Sequence, residues 1–218
     1  MLPLPPDPTY TWEPAAGRYR SVATGRWVTF QSVREEAIER VVSASEARMV
    51  AITNQRVSGA LTTEQWREAM RQEIKTLHVE SAMAASGGRA QMNAADWGAV
   101  GAKVKAQYRY LDNFAGQIDS GAQKLDGTIV SRTRLYAHAG RATWEETRRR
   151  VRNEQGWQEE KRILGYAEHC EGCLEWAGKW AAIGALPPIG SQQCKVRCHC
   201  YYIYRRRNRR GAWEYSRE

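Results

Sequence analysis

Two closely spaced pairs of cysteines stand in the last quarter of the chain, within residues 169–200. Cys170 and Cys173 form a Cys-x-x-Cys pair, and Cys198 and Cys200 form a Cys-x-Cys pair. A chain reversal of this length allows two thiolates to reach one tetrahedral ion at ~2.3 Å. Two such pairs joined by a short loop are typical of a structural zinc site. Gly172 within the first pair is expected to supply backbone freedom for the reversal.

The predicted zinc ligands are Cys170, Cys173, Cys198 and Cys200. Three further candidates lie in the same stretch: Cys194, which could replace Cys198, and the spare ligands His169 and His199. Spacing alone does not choose among them. A set made only of thiolates disfavours a catalytic zinc, which keeps one position open for water and usually enlists His or a carboxylate.

Two other uses of these cysteines are weighed against zinc. A thioredoxin-like redox pair requires the Cys-x-x-Cys at the start of a helix in a βαβ unit, and the sequence shows no such unit. Disulfides would form if the protein matured inside a particle that meets an oxidising exterior, although assembly in the cytoplasm disfavours them. Structural zinc is therefore the preferred interpretation.

The remaining polar residues do not suggest an enzyme. The sequence contains neither a glycine-rich phosphate loop nor a nucleophile elbow. The paired carboxylates Glu145–Glu146 and Glu159–Glu160 are adjacent, so on a helix they point apart and are expected to form a charged face. His78 and His138 are interpreted as packing or surface residues. We expect no catalytic residues and no small-molecule substrate.

The chain is strongly basic, which favours a polyanionic partner. Its 218 residues carry a formal net charge of +9, with a pI near 9.5. The predicted contacts to nucleic acid or another polyanion are Arg205, Arg206, Arg207, Arg209 and Arg210. Trp213 and Tyr215 would add stacking partners. The alternative is a solvated tail that only keeps the protein soluble.

Composition shifts predict a mainly α fold made of four parts. These are an extended N-terminal arm with a hairpin (1–31), an α-helical body (32–160), a Cys-rich β/loop zinc-knuckle module (161–204) and a basic tail (205–218). Five of the seven prolines lie in the first fourteen residues, which favours extended backbone over helix. A turn at Thr24-Gly25 predicts the hairpin, which we expect to dock on a partner or on the helical body.

Capping residues and apolar periodicity predict the helices of the body. A capping box at Ser32–Glu35 opens the first helix, which Gly59 ends. Thr62 or Thr63 caps a second helix that runs to about Ser86. Asn93 with Asp96 opens a third.

The second half of the body is predicted to contain a break. A fourth helix covers roughly 128–139, and Gly140 interrupts it. The capping box at Thr143–Glu146 then starts another helix. Residues 201–204 are expected to form a final strand.

The sequence predicts neither a membrane span nor a secretory signal. No run approaches the ~18 apolar residues that a membrane helix needs. The start, MLPLPPDPTYTWEP, lacks a basic n-region and an apolar h-region. We therefore expect folding in the cytoplasm and no membrane partner.

The C-terminal cassette resembles the end of phage head-morphogenesis proteins, the Mu F-like minor head protein family. The resemblance rests on "YAEHCEGCLEWAGKW" and "ALPPIGSQQCKVRCHCYYIY", which carry the Cys-x-x-Cys, the Leu-Pro-Pro linker and the closing Cys-x-Cys. The segments "YLDNFAGQIDSG" and "SRTRLYAHAGRATWEETRRR" are similar to the helical hairpin of that family, and "GRYRSVATGRWV" to arms of phage structural proteins. The resemblance to the minor head protein family covers residues ~100–204. Many members place His-Pro before the closing pair, whereas this chain has an extra cysteine there.

The resemblance implies a structural role rather than an enzymatic one. It implies a minor head protein in the virion, at the capsid interior or portal vertex, assembled in the host cytoplasm. Its partners would be the portal or connector ring, other head proteins and packaged double-stranded DNA, in capsid assembly and DNA packaging or ejection. The alternative is a zinc-stabilised DNA-binding or regulatory protein. That protein would need a recognition helix beside the cysteines, where residues 174–197 indicate a loop.

Overall fold

The computed structural model describes residues 5–216, and the predicted mainly α fold is confirmed there. The helices are α1 (Phe30–Arg34), α2 (Arg40–Val57), α3 (Thr63–Ser86), α4 (Ala94–Asp119), α5 (Gly127–Glu154) and α6 (Glu171–Trp176). A π-helical turn, Glu35–Glu39, joins α1 to α2. The strands are β1 (Tyr10–Glu13), β2 (Arg18–Ser21), β3 (Trp27–Val28), β4 (Glu159–Ile163), β5 (Trp180–Ala182), β6 (Tyr201–Arg207) and β7 (Trp213–Tyr215). Between residues 5 and 216, no helix is long and apolar enough to cross a membrane.

Two of the predicted helix starts are confirmed as capping boxes. The hydroxyl of Thr62 accepts a hydrogen bond from the backbone N–H of Gln65, whose side chain accepts one from the N–H of Thr62. Asn93 and Asp96 form the same reciprocal pair at the start of α4. Each pair satisfies two backbone donors that a helix N-terminus leaves free.

The first helix begins before the predicted capping box. Its N-cap is Thr29, whose hydroxyl accepts from the backbone N–H of Ser32 at 3.1 Å. Phe30 therefore enters the helix, and its buried ring joins the core. The prediction placed the start at Ser32 because it identified the wrong hydroxyl as the cap.

The predicted break at Gly140 is wrong, because α5 runs without interruption from Gly127 to Glu154. A Cβ atom at Gly140 would lie 2.8 Å from Leu77 Cδ1 and 3.1 Å from Ser81 Oγ. This glycine allows α5 to approach α3 closely and does not end the helix. The hydroxyl of Thr143, predicted to cap a new helix, instead hydrogen bonds to His78 Nδ1 at 2.7 Å.

The N-terminal arm folds back onto the helical body of its own chain. Strands β1, β2 and β3 form an antiparallel sheet, with the predicted hairpin turn between β2 and β3. Trp12 and Tyr19 are each only 1% exposed. Trp12 Nε1 donates to Gln155 Oε1 at 2.8 Å, and the Arg152 guanidinium lies 3.2 Å from the centre of the Trp12 ring. The aromatic residues of the arm thus anchor it against the end of α5.

The second sheet is formed by four strands from the C-terminal quarter of the chain, and their order in the sheet is β5-β4-β6-β7. It begins at Glu159, so the helical body ends earlier than the predicted boundary at residue 160. It also extends past the predicted end of the module at residue 204, because β6 continues to Arg207 and β7 pairs with it. The described part of the predicted tail, residues 205–216, is therefore mostly a β-hairpin of this sheet.

Two arginines of α5 attach the second sheet to this helix, Arg149 through an ion pair and Arg148 through a hydrogen bond. Arg148 donates to both carboxylate oxygens of Glu145 and, at 3.1 Å, to the carbonyl oxygen of Tyr202 in β6. Arg149 Nε donates to Glu160 Oε2 at 2.7 Å. The expectation that Glu145 and Glu160 lie on charged surfaces is wrong, because both are buried. These pairs hold the cysteine-bearing module against the helical body.

Candidate metal centre

The first cysteine pair lies at the start of the short helix α6. Cys170 is the N-cap, and its carbonyl oxygen accepts from the backbone N–H of Cys173 at 2.9 Å. Gly172 does not act through backbone freedom as predicted, because it lies inside the helix, where no positive φ is needed. A Cβ atom there would lie within 2.3 Å of Gln192 Oε1. The glycine instead lets the loop that carries Cys194 approach the first pair.

The other cysteines follow that loop. Cys194 and Cys198 cap the two ends of a single 3-10 turn, Lys195–Arg197. Lys195 has a φ of 48°, a left-handed conformation that residues other than glycine rarely adopt. Cys200 immediately precedes β6. The structure therefore brings all five thiols to one end of the second sheet.

The sulfur atoms are spaced as a tetrahedral ion would require. Cys173 Sγ lies 3.6 Å from Cys194 Sγ and 3.7 Å from Cys198 Sγ. Four sulfur ligands at ~2.3 Å from a zinc ion would lie ~3.8 Å apart. All five cysteines are free thiols, and these separations greatly exceed the ~2.05 Å of a disulfide.

Two overlapping groups of three thiols meet the spacing for a metal. In each group the ligand atoms all lie within 4.8 Å of one another, and the groups are Cys170, Cys173 and Cys194, and Cys173, Cys198 and Cys200. Cys173 is common to both and fully buried. The four predicted ligands are divided between the groups, so that set stays a prediction. Cys194 belongs to one of the two groups, as do Cys170, Cys198 and Cys200.

His169 lies at the edge of this cluster, whereas His199 does not join it. His169 Nδ1 is 3.7 Å from Cys200 Sγ, and His169 Nε2 is 2.8 Å from the carbonyl oxygen of Gly165. A proton on Nε2 donated to that carbonyl leaves Nδ1 as an acceptor facing the sulfur, an arrangement common around metal sites. His199 lines a separate surface cavity of about 360 Å³ together with Arg34 and Glu39.

Arg162 is a functional candidate that the sequence reasoning missed. It is fully buried in β4, and its Nη1 lies 3.4 Å from Cys173 Sγ. Within residues 5–216 no carboxylate forms an ion pair with it. A buried guanidinium without a compensating anion is costly, so ionised thiolates at this cluster would supply the missing negative charge. No local sequence signal marks it, because its burial follows from the alternation of the strand EEKRI, in which Glu160 and Arg162 face inward.

The environment ionises some thiols more readily than others. A hydrogen bond from the Cys200 thiol lowers the pKa of Cys198 to about 4, and donating that bond raises the pKa of Cys200. Burial opposes ionisation of Cys170, but backbone N–H groups of Cys194 and Cys173 lower its pKa to about 7. Metals bind thiolates rather than thiols. The donor set and the buried cation both fit a metal ion, which would hold the cluster together.

The predicted polyanion contacts are not all on one face. Arg206 pairs with Glu214 at 3.1 Å and lies over the Trp157 ring on the side of the sheet that packs towards the core. Arg205 and Arg207 occupy the opposite face, each against Trp213. Arg209 and Arg210 are exposed in the turn that joins β6 to β7.

No family model, curated protein sequence or solved structure matches this chain.

Proposed function

We propose that the chain is a structural, non-enzymatic virion protein: a minor head or head-morphogenesis protein at the portal vertex. The proposal starts from the resemblance of the C-terminal cassette. The observation that best supports it is that two cysteine pairs, 25 positions apart in the chain, meet in one thiol cluster that is held against α5. A site made only of thiolates disfavours a catalytic zinc, which usually enlists His or a carboxylate.

In this proposal the ion is zinc and its role is structural. The core of the module is small, and its buried members are Trp157, Cys173, Leu186, Ile189, Cys198, Cys200, Tyr202 and Tyr204. A core of this size supplies little free energy of folding, so natural small modules often add a metal or disulfides. Four thiolates around zinc would tie α6, the 3-10 turn and the start of β6 together, and Arg162 would offset part of their charge.

The proposed partners are the portal or connector ring and other head proteins. Exposed aromatic side chains are the usual anchors of protein interfaces. Tyr166 is fully exposed within the cysteine module, between β4 and α6, and Tyr110 is 62% exposed on α4. These residues are candidates for the contacts with the ring. Packaged double-stranded DNA would be bound without sequence preference.

The geometry favours this proposal over a zinc-stabilised regulatory protein. A regulatory protein of that type inserts a recognition helix into the major groove of its operator. The helix beside the cysteines, α6, has only six residues and begins within the cluster. Its first turn is occupied by Cys173, so little of it remains to contact bases.

Quantitative mass spectrometry of gradient-purified particles from the producing host tests the proposal. We expect peptides of this chain to co-sediment with full heads in a few copies per particle, at a fixed ratio to the portal protein. Peptides found only in the soluble fraction of the lysate would reject the head-protein role. Elemental analysis of the same protein, purified under reducing conditions, should give one zinc per chain, and zinc-free protein would reject only the metal assignment.

A further inference from the structure

One face of the second sheet carries an interleaved row of cationic and aromatic side chains. The Arg205 guanidinium lies 4.3 Å from the centre of the Trp180 ring and 4.0 Å from that of Trp213. Arg207 lies 3.9 Å from Trp213, and Lys161 Nζ lies 4.8 Å from Trp180. Each of the two tryptophans therefore contacts two cations.

The strand register creates this row. Lys161 of β4 is directly opposite Trp180 of β5, and Arg207 of β6 is directly opposite Trp213 of β7. Arg205 shares a face with Arg207, because alternate residues of a strand point to the same side. The row therefore crosses all four strands and is a property of the folded sheet. It would not exist in a disordered basic tail.

The row is part of a surface with a strong excess of positive charge. Glu159 accounts for one negative charge, and it pairs with Arg205 at 2.5 Å. The cationic residues on or beside this face are Lys161, Lys179, Arg205, Arg207, Arg209 and Arg210. Lys179, Arg207, Arg209 and Arg210 are exposed to solvent. Aromatic contacts hold the more central cations in place and lower the entropy that they would lose on binding an anion.

We propose that this face binds the phosphate backbone of double-stranded DNA without reading its sequence. Proteins that bind single strands leave aromatic faces open for bases to stack on. Here the rings of Trp180 and Trp213 already hold guanidinium and ammonium groups, so these two rings present ordered cations, and Tyr215 alone among the aromatic residues of these strand pairs is more than half exposed on this face. Guanidinium groups recognise phosphate through paired N–H donors. The proposal rests on the proposed function only for the source of the DNA, the packaged genome.

Fluorescence anisotropy with a labelled 20-base-pair duplex of random sequence, at several salt concentrations, tests this inference on the full chain. The first variant replaces Arg207, Arg209 and Arg210 with Gln. Its matched control replaces Lys105, Arg109 and Lys124 with Gln. These three residues are exposed and lie outside the sheet, so their substitution removes the same amount of positive charge from another part of the surface. We expect the first variant to flatten the slope of log K against log salt by roughly 2 to 3, at about 0.9 per lost phosphate contact. The control should keep the wild-type slope.

A second variant separates ordered cations from bulk charge. Trp213→Leu leaves the formal charge unchanged but removes the ring that contacts Arg205 and Arg207. We expect roughly two- to fivefold weaker duplex binding, which corresponds to the loss of an exposed cation–aromatic contact. Its melting temperature, measured alongside, shows whether the sheet has stayed folded. Unchanged affinity in a folded Trp213→Leu protein would overturn the role of the row.

Single-stranded DNA of the same length and vesicles containing phosphatidylserine are the competing ligands. We expect the duplex to bind most tightly; equal or tighter binding of either alternative would overturn the proposal. Equal loss of affinity in the Gln variant and in its control would also overturn it. A protein that is present in particles but binds no DNA contradicts this inference alone. A protein that binds duplex DNA through this face but is absent from particles contradicts only the head-protein role.

Discussion

Replacing Cys173 with Ser should unfold the cysteine module and leave the helical body folded. Cys173 belongs to both thiol groups and is fully buried, so its loss removes one sulfur from either possible metal site. It also removes the sulfur that lies 3.4 Å from the guanidinium of Arg162. No other single cysteine combines these positions.

The expected loss of stability comes from two contributions. A ligand present at 1,000 times its dissociation constant stabilises the folded state by about 4 kcal/mol, and weakening zinc binding a thousandfold removes that stabilisation. Loss of the sulfur beside the buried Arg162 would add up to about 3 to 5 kcal/mol, the cost of removing one partner of a buried pair. Small domains are stable by only about 5–15 kcal/mol in total. The module should therefore be largely unfolded at room temperature.

Spectroscopy can follow the two parts of the protein separately. Trp157 is buried in the module, so unfolding of the module should expose this ring and shift tryptophan fluorescence to longer wavelength. The far-ultraviolet circular dichroism at 222 nm should fall only slightly, because α2 to α5 lie outside the module. The control is Leu186→Ala, which opens a cavity in the same core but replaces none of the candidate metal ligands. It should cost about 2–5 kcal/mol but retain bound zinc.

Cys173→Ser protein that keeps one zinc per chain and the wild-type unfolding temperature would show that Cys173 does not hold the metal. Loss of zinc from Leu186→Ala to the same extent as from Cys173→Ser would contradict the prediction as well. In that case packing, and not ligation, would hold the metal. Loss of the whole helical signal at 222 nm would show that the body and the module unfold as one unit.

Three further predictions concern single positions. Gly140→Ala should be less stable than Gly116→Ala by about 1–3 kcal/mol in urea denaturation, because its methyl group would crowd Leu77, whereas Gly116 has open space; equal stabilities would contradict the close helix approach. Burial, together with the charge of Lys103, lowers the pKa of His78 to about 4, so stability should fall as the pH drops from about 6.5 to 4, by roughly 1.4 kcal/mol per unit. His78→Gln should flatten that part of the stability profile, and an unchanged slope would exclude His78 as its source. His169→Ala should weaken zinc binding by about 10- to 100-fold in chelator competition. An unchanged affinity for zinc would show that the imidazole of His169 does not support the metal site.

Local signals in the sequence were sufficient for most of the helical body. The caps at Thr62 and Asn93 and the end of α3 at Ser86 depend on residues within a few positions of each boundary. Such boundaries can be predicted because the hydrogen bonds that form them are local. Gly140 shows the limit, since its role depends on Leu77, which lies far away in the chain.

The candidate site was predictable in residue type but not in arrangement. The spacing of the cysteines indicated a cluster, yet that spacing alone did not place Cys194 beside Cys173. Arg162 and the hairpin after Arg205 could not be identified in the same way. Both depend on strand pairing across the chain, which moves an arginine into the core and turns an apparent tail into sheet.

The contacts between the arm and the far end of the chain impose an order on biosynthesis. Trp12 of the arm and Gln155, which share a hydrogen bond, are 143 positions apart. At a ribosomal rate of 5–20 residues per second, Gln155 emerges about 7 to 30 seconds after Trp12. The arm is therefore translated first, but it can pack against the helical body only later, when α5 is complete. During that interval its tryptophan and tyrosine side chains stay available to chaperones or to a neighbouring nascent chain.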